Sequence, residues 1–266
     1  MSWALLFDAT RCIGCGACSA ACKEQNQLPL PIEDRTTAST WTVVERKGGV
    51  NVRRMCMHCL TPTCVSVCPV AAMTKQPSGP VVYDAKKCIG CHYCIQACPF
   101  DAPKYQWDRA VPVVGKCVLC APRLAQGQPT ACASVCPTGA TAFGERDALI
   151  REARRRFAED PQRYVDHVYG VDEAGGTSVL MLSAVPFGAL GLRENLPHEP
   201  LPLLTWKALS KVPDVLVFGA ALLYGVHWIT RRRAYVRLVE GPSAPESVPE
   251  APRRGAVADG SREERS

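Results

Sequence analysis

Hydrophobic positions in the first half of the chain come in short runs, and each run leads into or follows a cluster of cysteines. Ala4-Leu5-Leu6-Phe7 is continuously apolar and predicts a buried strand. Trp41 to Glu45 and Val50 to Val52 predict a hairpin turned at Gly48-Gly49. Gly79 to Asp84 predicts a further strand, and Ala131 to Val135 one or two helical turns. The connector from Glu24 to Ser39, with Pro29 and Pro31, reads as loop.

From Glu145 the period changes. Leu149, Ala153 and Phe157 recur every fourth residue among charges, which predicts a surface helix ending before Pro161 with Arg154-Arg155-Arg156 on its solvated face. Tyr164 to Pro202 is rich in Gly and Pro, and its one short apolar run is Val179 to Leu182. It predicts an irregular arm that wraps a partner and is ordered only by that contact. Val212 to Thr230 is apolar between Asp214 and His227 and would span about 28 Å as a helix. Arg231-Arg232-Arg233 closes it, and Trp206, Trp228 and Tyr235 lie near its ends, so it predicts a membrane-crossing helix over the core helix of a soluble domain. From Gly241 onward Pro, Ser, Glu and Arg dominate, a composition expected to stay disordered. The domains expected are therefore 1–145, 146–211, 212–230 and a basic tail at 231–266.

All sixteen cysteines lie between Cys12 and Cys136, in four sets of four. The third, Cys88-x2-Cys91-x2-Cys94-x3-Cys98-Pro99, has the spacing by which bacterial ferredoxins hold cubane iron–sulfur clusters. In that chemistry three close thiolates wrap one cluster and the fourth ligates a second, so each run needs a partner run. The first set is Cys12-x2-Cys15-x2-Cys18-x3-Cys22, with Lys23 where proline is usual and Gly14 and Gly16 free to make tight turns. The second, Cys56-x2-Cys59-x4-Cys64-x3-Cys68-Pro69, has a longer middle gap. The fourth, Cys117-x2-Cys120-x11-Cys132-x3-Cys136-Pro137, is split by a loop at Gln126 to Pro129. Strand, cysteine loop and short helix thus repeat four times. Four-cysteine zinc sites are the competing reading, strongest for the split fourth set. Such sites do not normally need the compact spacing of the first and third.

The net charge of +6 omits any metal. Four oxidised cubanes, each about −2 with its thiolates, would turn residues 1–150 from +5 to about −3, so basicity is no case for nucleic acid. His58, His92, His167, His198 and His227 are scattered, with the first two inside cysteine loops where tuning or packing is expected. No catalytic constellation stands apart from the cysteines, and the chain reads as a non-catalytic electron carrier. Met1 to Asp8 lacks the basic start and the apolar length of a signal peptide.

The four sets in this order, over residues 4–145, resemble the four-cluster iron–sulfur (beta) subunits of the molybdopterin oxidoreductase and membrane-bound hydrogenase families. Val168 to Ser183 and Val185 to Leu192 are similar to the segment after the clusters in the membrane-anchored members, the hydrogenase-2 type and respiratory formate dehydrogenase subunits. The resemblance implies an α+β fold of two tandem ferredoxin-like modules, each holding two [4Fe–4S] clusters, followed by the arm and one C-terminal transmembrane helix. It pairs the first set with the fourth and the second with the third. Cys12, Cys15, Cys18 and Cys136 would hold one cluster, and Cys22, Cys117, Cys120 and Cys132 another. Cys56, Cys59, Cys64 and Cys98 would hold a third, and Cys68, Cys88, Cys91 and Cys94 the fourth. The implied role is to relay electrons between a catalytic subunit (molybdopterin or nickel–iron) and a quinone-reactive integral membrane subunit, with the same role in a sulfur-compound reductase as an alternative. The arginines after the apolar helix predict a cytoplasmic tail and a periplasmic cluster domain at the inner membrane.

Overall fold

The computed structural model describes residues 2–107 and 113–241. Ten strands and helices precede the third cysteine set or flank it: β1 (Trp3–Asp8), α1 (Ala17–Gln25), β2 (Val43–Lys47), β3 (Val50–Arg54), α2 (Thr63–Ser66), β4 (Met73–Lys75), β5 (Val81–Tyr83), α3 (Tyr93–Gln96), β6 (Lys104–Tyr105) and β7 (Val114–Gly115). Then come α4 (Ala121–Ala125), α5 (Ala131–Ser134), β8 (Thr141–Glu145), α6 (Arg146–Glu159), β9 (Val179–Leu182), α7 (Leu201–Leu209) and α8 (Val212–Glu240). The described residues up to Leu209 form one compact unit, and those from Ser210 to Gly241 belong to a second.

β1 is the middle strand of the largest sheet. It pairs antiparallel with β8, Leu5 opposite Phe143, and parallel with β9, Leu5 opposite Val179. Its side chains alternate between two cores. Leu5 and Phe7 join Val52, Met57, Leu119, Tyr169 and Met181, while Ala4 and Leu6 meet Leu149 and Ala153 of α6 with Leu180 and Leu182. A strand covered on both faces needs an uninterrupted apolar run, which is why Ala4 to Phe7 shows no polar alternation. Each fully buried Leu or Phe here contributes roughly 1.5–3 kcal/mol. Three hairpins, β2–β3, β4–β5 and β6–β7, make up the remaining sheet structure of the described residues.

The arm expected at Tyr164 to Pro202 is corrected by the structure. β9 is an edge strand of the β1 sheet with all four residues buried, and Tyr169, Phe187 and Leu190 lie in the main core. The four-residue run finds its partner in β1, far away in sequence, so its own composition understates how much it buries. Amides of Val179 to Leu182 should therefore resist hydrogen exchange in the isolated chain. Exchange as fast as in an unstructured peptide would contradict this packing.

The solvated face drawn for Arg154 to Arg156 is corrected at one position. Arg156 is buried, and its guanidinium donates to Asp8 Oδ2 at 3.1 Å. That carboxylate, fully buried at the end of β1, also accepts from Tyr164 Oη at 2.9 Å and from Thr10 N at 3.0 Å. The network pins α6 and the chain after it beside the loop that carries Cys12.

In the second unit, α8 is long and apolar enough to cross a membrane, and none of its side chains is buried. It runs ten residues past the Thr230 end expected from the sequence. Arginine is a good helix former and nothing interrupts the turns until Gly241, whose φ is 74°. The tail expected to be disordered begins at Gly241, and 242–266 lie outside the described residues.

Candidate iron–sulfur sites

The cysteine loops share one local design. A strand ends just before each set: β1 before Cys12, β3 before Cys56, β5 before Cys88 and β7 before Cys117. The second residue between the first two cysteines takes a left-handed backbone, with φ of 76° at Gly14 and 72° at Gly90. A side chain at Gly14 would press on Asn51, and one at Gly90 would come within 2.9 Å of the Tyr105 hydroxyl oxygen. This turn aims an amide back at the first thiol: Gly90 N–H donates to Cys88 Sγ at 3.5 Å and Leu119 N–H to Cys117 Sγ at 3.3 Å. Past the last cysteine of a set the pattern recurs, with Ala72 on Cys68 at 3.2 Å, Ala102 on Cys98 at 3.5 Å and Thr141 on Cys136 at 3.4 Å. Amides aimed at sulfur favour the thiolate form.

The sixteen thiols gather into four groups, each with three members from one run and one from another. Cys12 has Cys15, Cys18 and Cys136 as neighbours, and these four line one hollow. Cys22 lies with Cys117, Cys120 and Cys132 around a second. Cys94 lies with Cys68, Cys88 and Cys91 around a third. Cys59 has Cys56, Cys64 and Cys98 about it. The groups also adjoin in order, near enough for their thiols to feel one another's charge: Cys18 with Cys132, Cys117 with Cys56, and Cys64 with Cys94. They therefore follow one another as a file. A short helix carries a thiol to each of two successive groups, as α1 does with Cys18 and Cys22.

The hollow around Cys22 spans about 320 Å³ and the one around Cys94 about 350 Å³, both counted with the open solvent at their mouths. Among the described residues no three His, Cys, Asp or Glu side chains converge tightly enough for a single metal ion. Four thiols set around one hollow suit a body with four separate corners. Burial pushes the Cys22 and Cys64 thiols up to about 12 and Cys94 up to about 11, so these groups stay protonated until a metal replaces the proton.

Two buried cations, Arg53 and Lys116, and the half-buried Lys75 serve these groups and escaped sequence reasoning. Arg53 of β3 is 2 % exposed and lies between the first two groups of the file, with Cys18, Cys132 and Cys117 near its guanidinium. Its Nε donates to Thr42 Oγ1 at 2.9 Å and Nη1 to Thr141 Oγ1 at 3.1 Å. Burial works against its charge, and the neighbouring Cys132 and Cys18 outweigh that and raise it. Lys116 is buried beside Cys64 and donates to the Val81 and Cys117 carbonyls. Lys75 donates to the His58, Cys59 and Gly79 carbonyls, and burial lowers it to about 8 against the pull of Cys59 and Cys56. The available signal was polar alternation in β3: Asn51 and Arg53 point away from Val52, toward the cysteines, and Asn51 Nδ2 donates to the Cys12 carbonyl at 2.7 Å. Lys23, the departure from proline, is also buried and ties the 29–39 loop by donating to Pro29 O at 2.5 Å and Ser39 O at 3.2 Å.

Of the histidines, His58 is fully buried at the second cysteine loop, and His92 packs edge-on to Tyr105 with ring centroids 4.0 Å apart over the hollow around Cys94. His167 pairs with Glu173 at 2.5 Å and packs against Tyr169 and Phe187.

Residues 50–146 match the family described as 4Fe-4S dicluster domain, and residues 3–24 the one described as 4Fe-4S binding domain. The chain is an iron–sulfur protein of the 4Fe–4S class. It is 34 % identical to the hydrogenase-2 operon protein HybA of Escherichia coli O157:H7, over 87 % of this chain and 84 % of that one. It is 33 % identical to the formate dehydrogenase-O iron-sulfur subunit of Escherichia coli K12, over 84 % and 82 %. A Nitratidesulfovibrio vulgaris protein is 42 % identical over 96 % of this chain and 74 % of its own length. The chain belongs to the family of iron–sulfur subunits that includes these hydrogenase-2 and formate dehydrogenase proteins.

Proposed function

We propose that this chain is the electron-transfer subunit of a membrane-bound respiratory oxidoreductase and holds four [4Fe–4S] clusters, one in each thiol group. The observation that carries this reading is the arrangement of sixteen thiols into four groups of four that follow one another in a file. The first module holds Cys12, Cys15, Cys18 and Cys136 on one cluster and Cys22, Cys117, Cys120 and Cys132 on the other. The second holds Cys56, Cys59, Cys64 and Cys98 on one and Cys68, Cys88, Cys91 and Cys94 on the other. When bound, the clusters supply one-electron carriers. The chain contributes amides that favour thiolate, cations that offset cluster charge, and apolar walls that exclude water. The compact Cys-x2-Cys-x2-Cys-x3-Cys spacing of the first and third sets, with each fourth thiol joining another group, favours clusters over zinc. Electrons pass between a catalytic subunit of hydrogenase or formate dehydrogenase type and a quinone-reactive membrane subunit, with α8 as the anchor.

Iron and acid-labile sulfide analysis tests the reading. About sixteen of each per chain are expected from four cubanes. A colourless protein that contains zinc and no labile sulfide would end it in favour of a zinc-stabilised binding module.

The side of the membrane follows from charge. Arg231, Arg232, Arg233 and Arg237 follow the apolar stretch, against Lys207 and Lys211 before it, and positive residues are retained in the cytoplasm. Protease added to intact spheroplasts should digest the cluster domain and spare a tag placed after Ser266. Loss of the tag with survival of the cluster domain would reverse the orientation.

A further inference from the structure

The left-handed turn between the first two cysteines recurs in every set, at Gly14, His58, Gly90 and Leu119, with φ of 76°, 50°, 72° and 52°. Glycine adopts it freely, whereas an L side chain does so at a steric cost. Leu119 and His58 nonetheless occupy two of the four positions, 1 % and 0 % exposed. Leu119 fills the apolar core. A histidine needs another reason, since a buried imidazole must find partners for two ring nitrogens.

Its partners are specific. Val81 N–H donates to His58 Nδ1 at 3.0 Å, and Nε2 lies 3.5 Å from Cys117 Sγ. A ring nitrogen that accepts a hydrogen bond carries no proton, so the neutral ring holds its proton on Nε2 and donates it to sulfur. The backbone is held as firmly, with Ser178 N–H donating to the His58 carbonyl at 3.1 Å and Lys75 Nζ at 3.3 Å. His58 belongs to the loop of Cys56 and Cys59, yet its proton points at a thiol of the neighbouring group. Among the described histidines it alone hydrogen-bonds a cysteine sulfur. It joins the two middle groups of the file.

We propose that His58 is a positioning residue that sets the potential of the cluster held by Cys22, Cys117, Cys120 and Cys132, through an N–H···S hydrogen bond from the adjoining module. The inference rests on the four-cluster reading above. Reduction adds negative charge that spreads onto the thiolates, so a donor aimed at Cys117 Sγ stabilises the reduced cluster more than the oxidised one. The contact therefore raises the potential. Because Val81 holds the ring from the far side, the bond forms only when the two modules are in register, which ties the energy step at the centre of the relay to their assembly.

Redox titration of the holoprotein, followed by electron paramagnetic resonance, tests this with His58→Leu and His58→Gln alongside the unmodified chain. Iron and sulfide content comes first: fewer than four clusters in the unmodified chain would defeat the four-cluster reading itself. In His58→Leu one cluster should become harder to reduce. At fixed poise its reduced-to-oxidised ratio should fall about tenfold, about 59 mV for one electron, while the other three stay in place. Gln retains an acceptor for Val81 and a donor for Cys117 and should restore most of the shift, which a purely structural role would not produce. Unchanged potentials in a fully loaded His58→Leu protein would overturn the proposal. Should that variant load poorly, electron spin echo modulation on unmodified protein labelled with ¹⁵N-histidine decides. A histidine nitrogen coupling is expected on the cluster of Cys117, and its absence overturns the assignment.

Discussion

Replacing Cys94 with Ala is expected to remove one cluster and leave three, lowering iron from about sixteen to about twelve per chain. Cys94 lies with Cys68, Cys88 and Cys91 at one end of the file. Its thiol sits on α3, one turn before Cys98, which belongs to the next group. Truncation at Cβ therefore takes one corner from the terminal site and leaves Cys98 in place. The first two groups depend on β1, β3 and α1, none of which touches that hollow, so their spectra should persist. Electron transfer to whichever partner docks at that end should be lost. Spin counting with iron analysis gives the result. An unchanged cluster count with unchanged transfer would show that Cys94 is not a ligand.

Replacing Arg53 with Leu is expected to destabilise the loaded protein by about 3 kcal/mol, as removal of one partner from a buried charge pair does. The guanidinium is enclosed between two thiol groups and hydrogen-bonds Thr42 and Thr141. With clusters in place each group carries a net negative charge of about two. No other buried cation among the described residues lies between those two groups. Without Arg53 their mutual repulsion is uncompensated, and adding an electron to either becomes harder. The visible cluster absorbance should disappear at lower urea, and the potentials of these two clusters should fall while the other two hold. Arg53→Lys keeps the charge and gives up part of the threonine contacts, so its effect should be smaller in both measurements. Unchanged potentials in Arg53→Leu would mean that the guanidinium does not offset cluster charge.

Local features were legible from the sequence because their causes are local. The strand at Ala4 to Phe7, the Gly48-Gly49 hairpin and the helix through Leu149, Ala153 and Phe157 each follow from spacing within a few residues. Cysteine runs are legible for the same reason, since the first three cysteines of the first and third sets fall within seven consecutive residues. The glycine turns at Gly14 and Gly16 belong to this class too.

Tertiary structure decided the rest. Val179 to Leu182 is a strand because β1 offers it an edge some 170 residues earlier in the chain, a partner that no window around it contains. Arg53, Lys75 and Lys116 resemble ordinary surface cations in sequence, since what makes them exceptional is full burial, or for Lys75 partial burial, against thiols contributed by other runs. Arg156 was placed on a solvated face because helical period alone cannot see the buried Asp8 that waits at the end of β1. Most of all, nothing in the sequence around His58 marks it out within its cysteine loop. Its ring acquires a role only when the folded chain brings Val81 to one nitrogen and Cys117 to the other. Spacing along the chain determines which atoms can bind one metal body, whereas charge, burial and hydrogen bonding around that body come from segments that only folding makes adjacent.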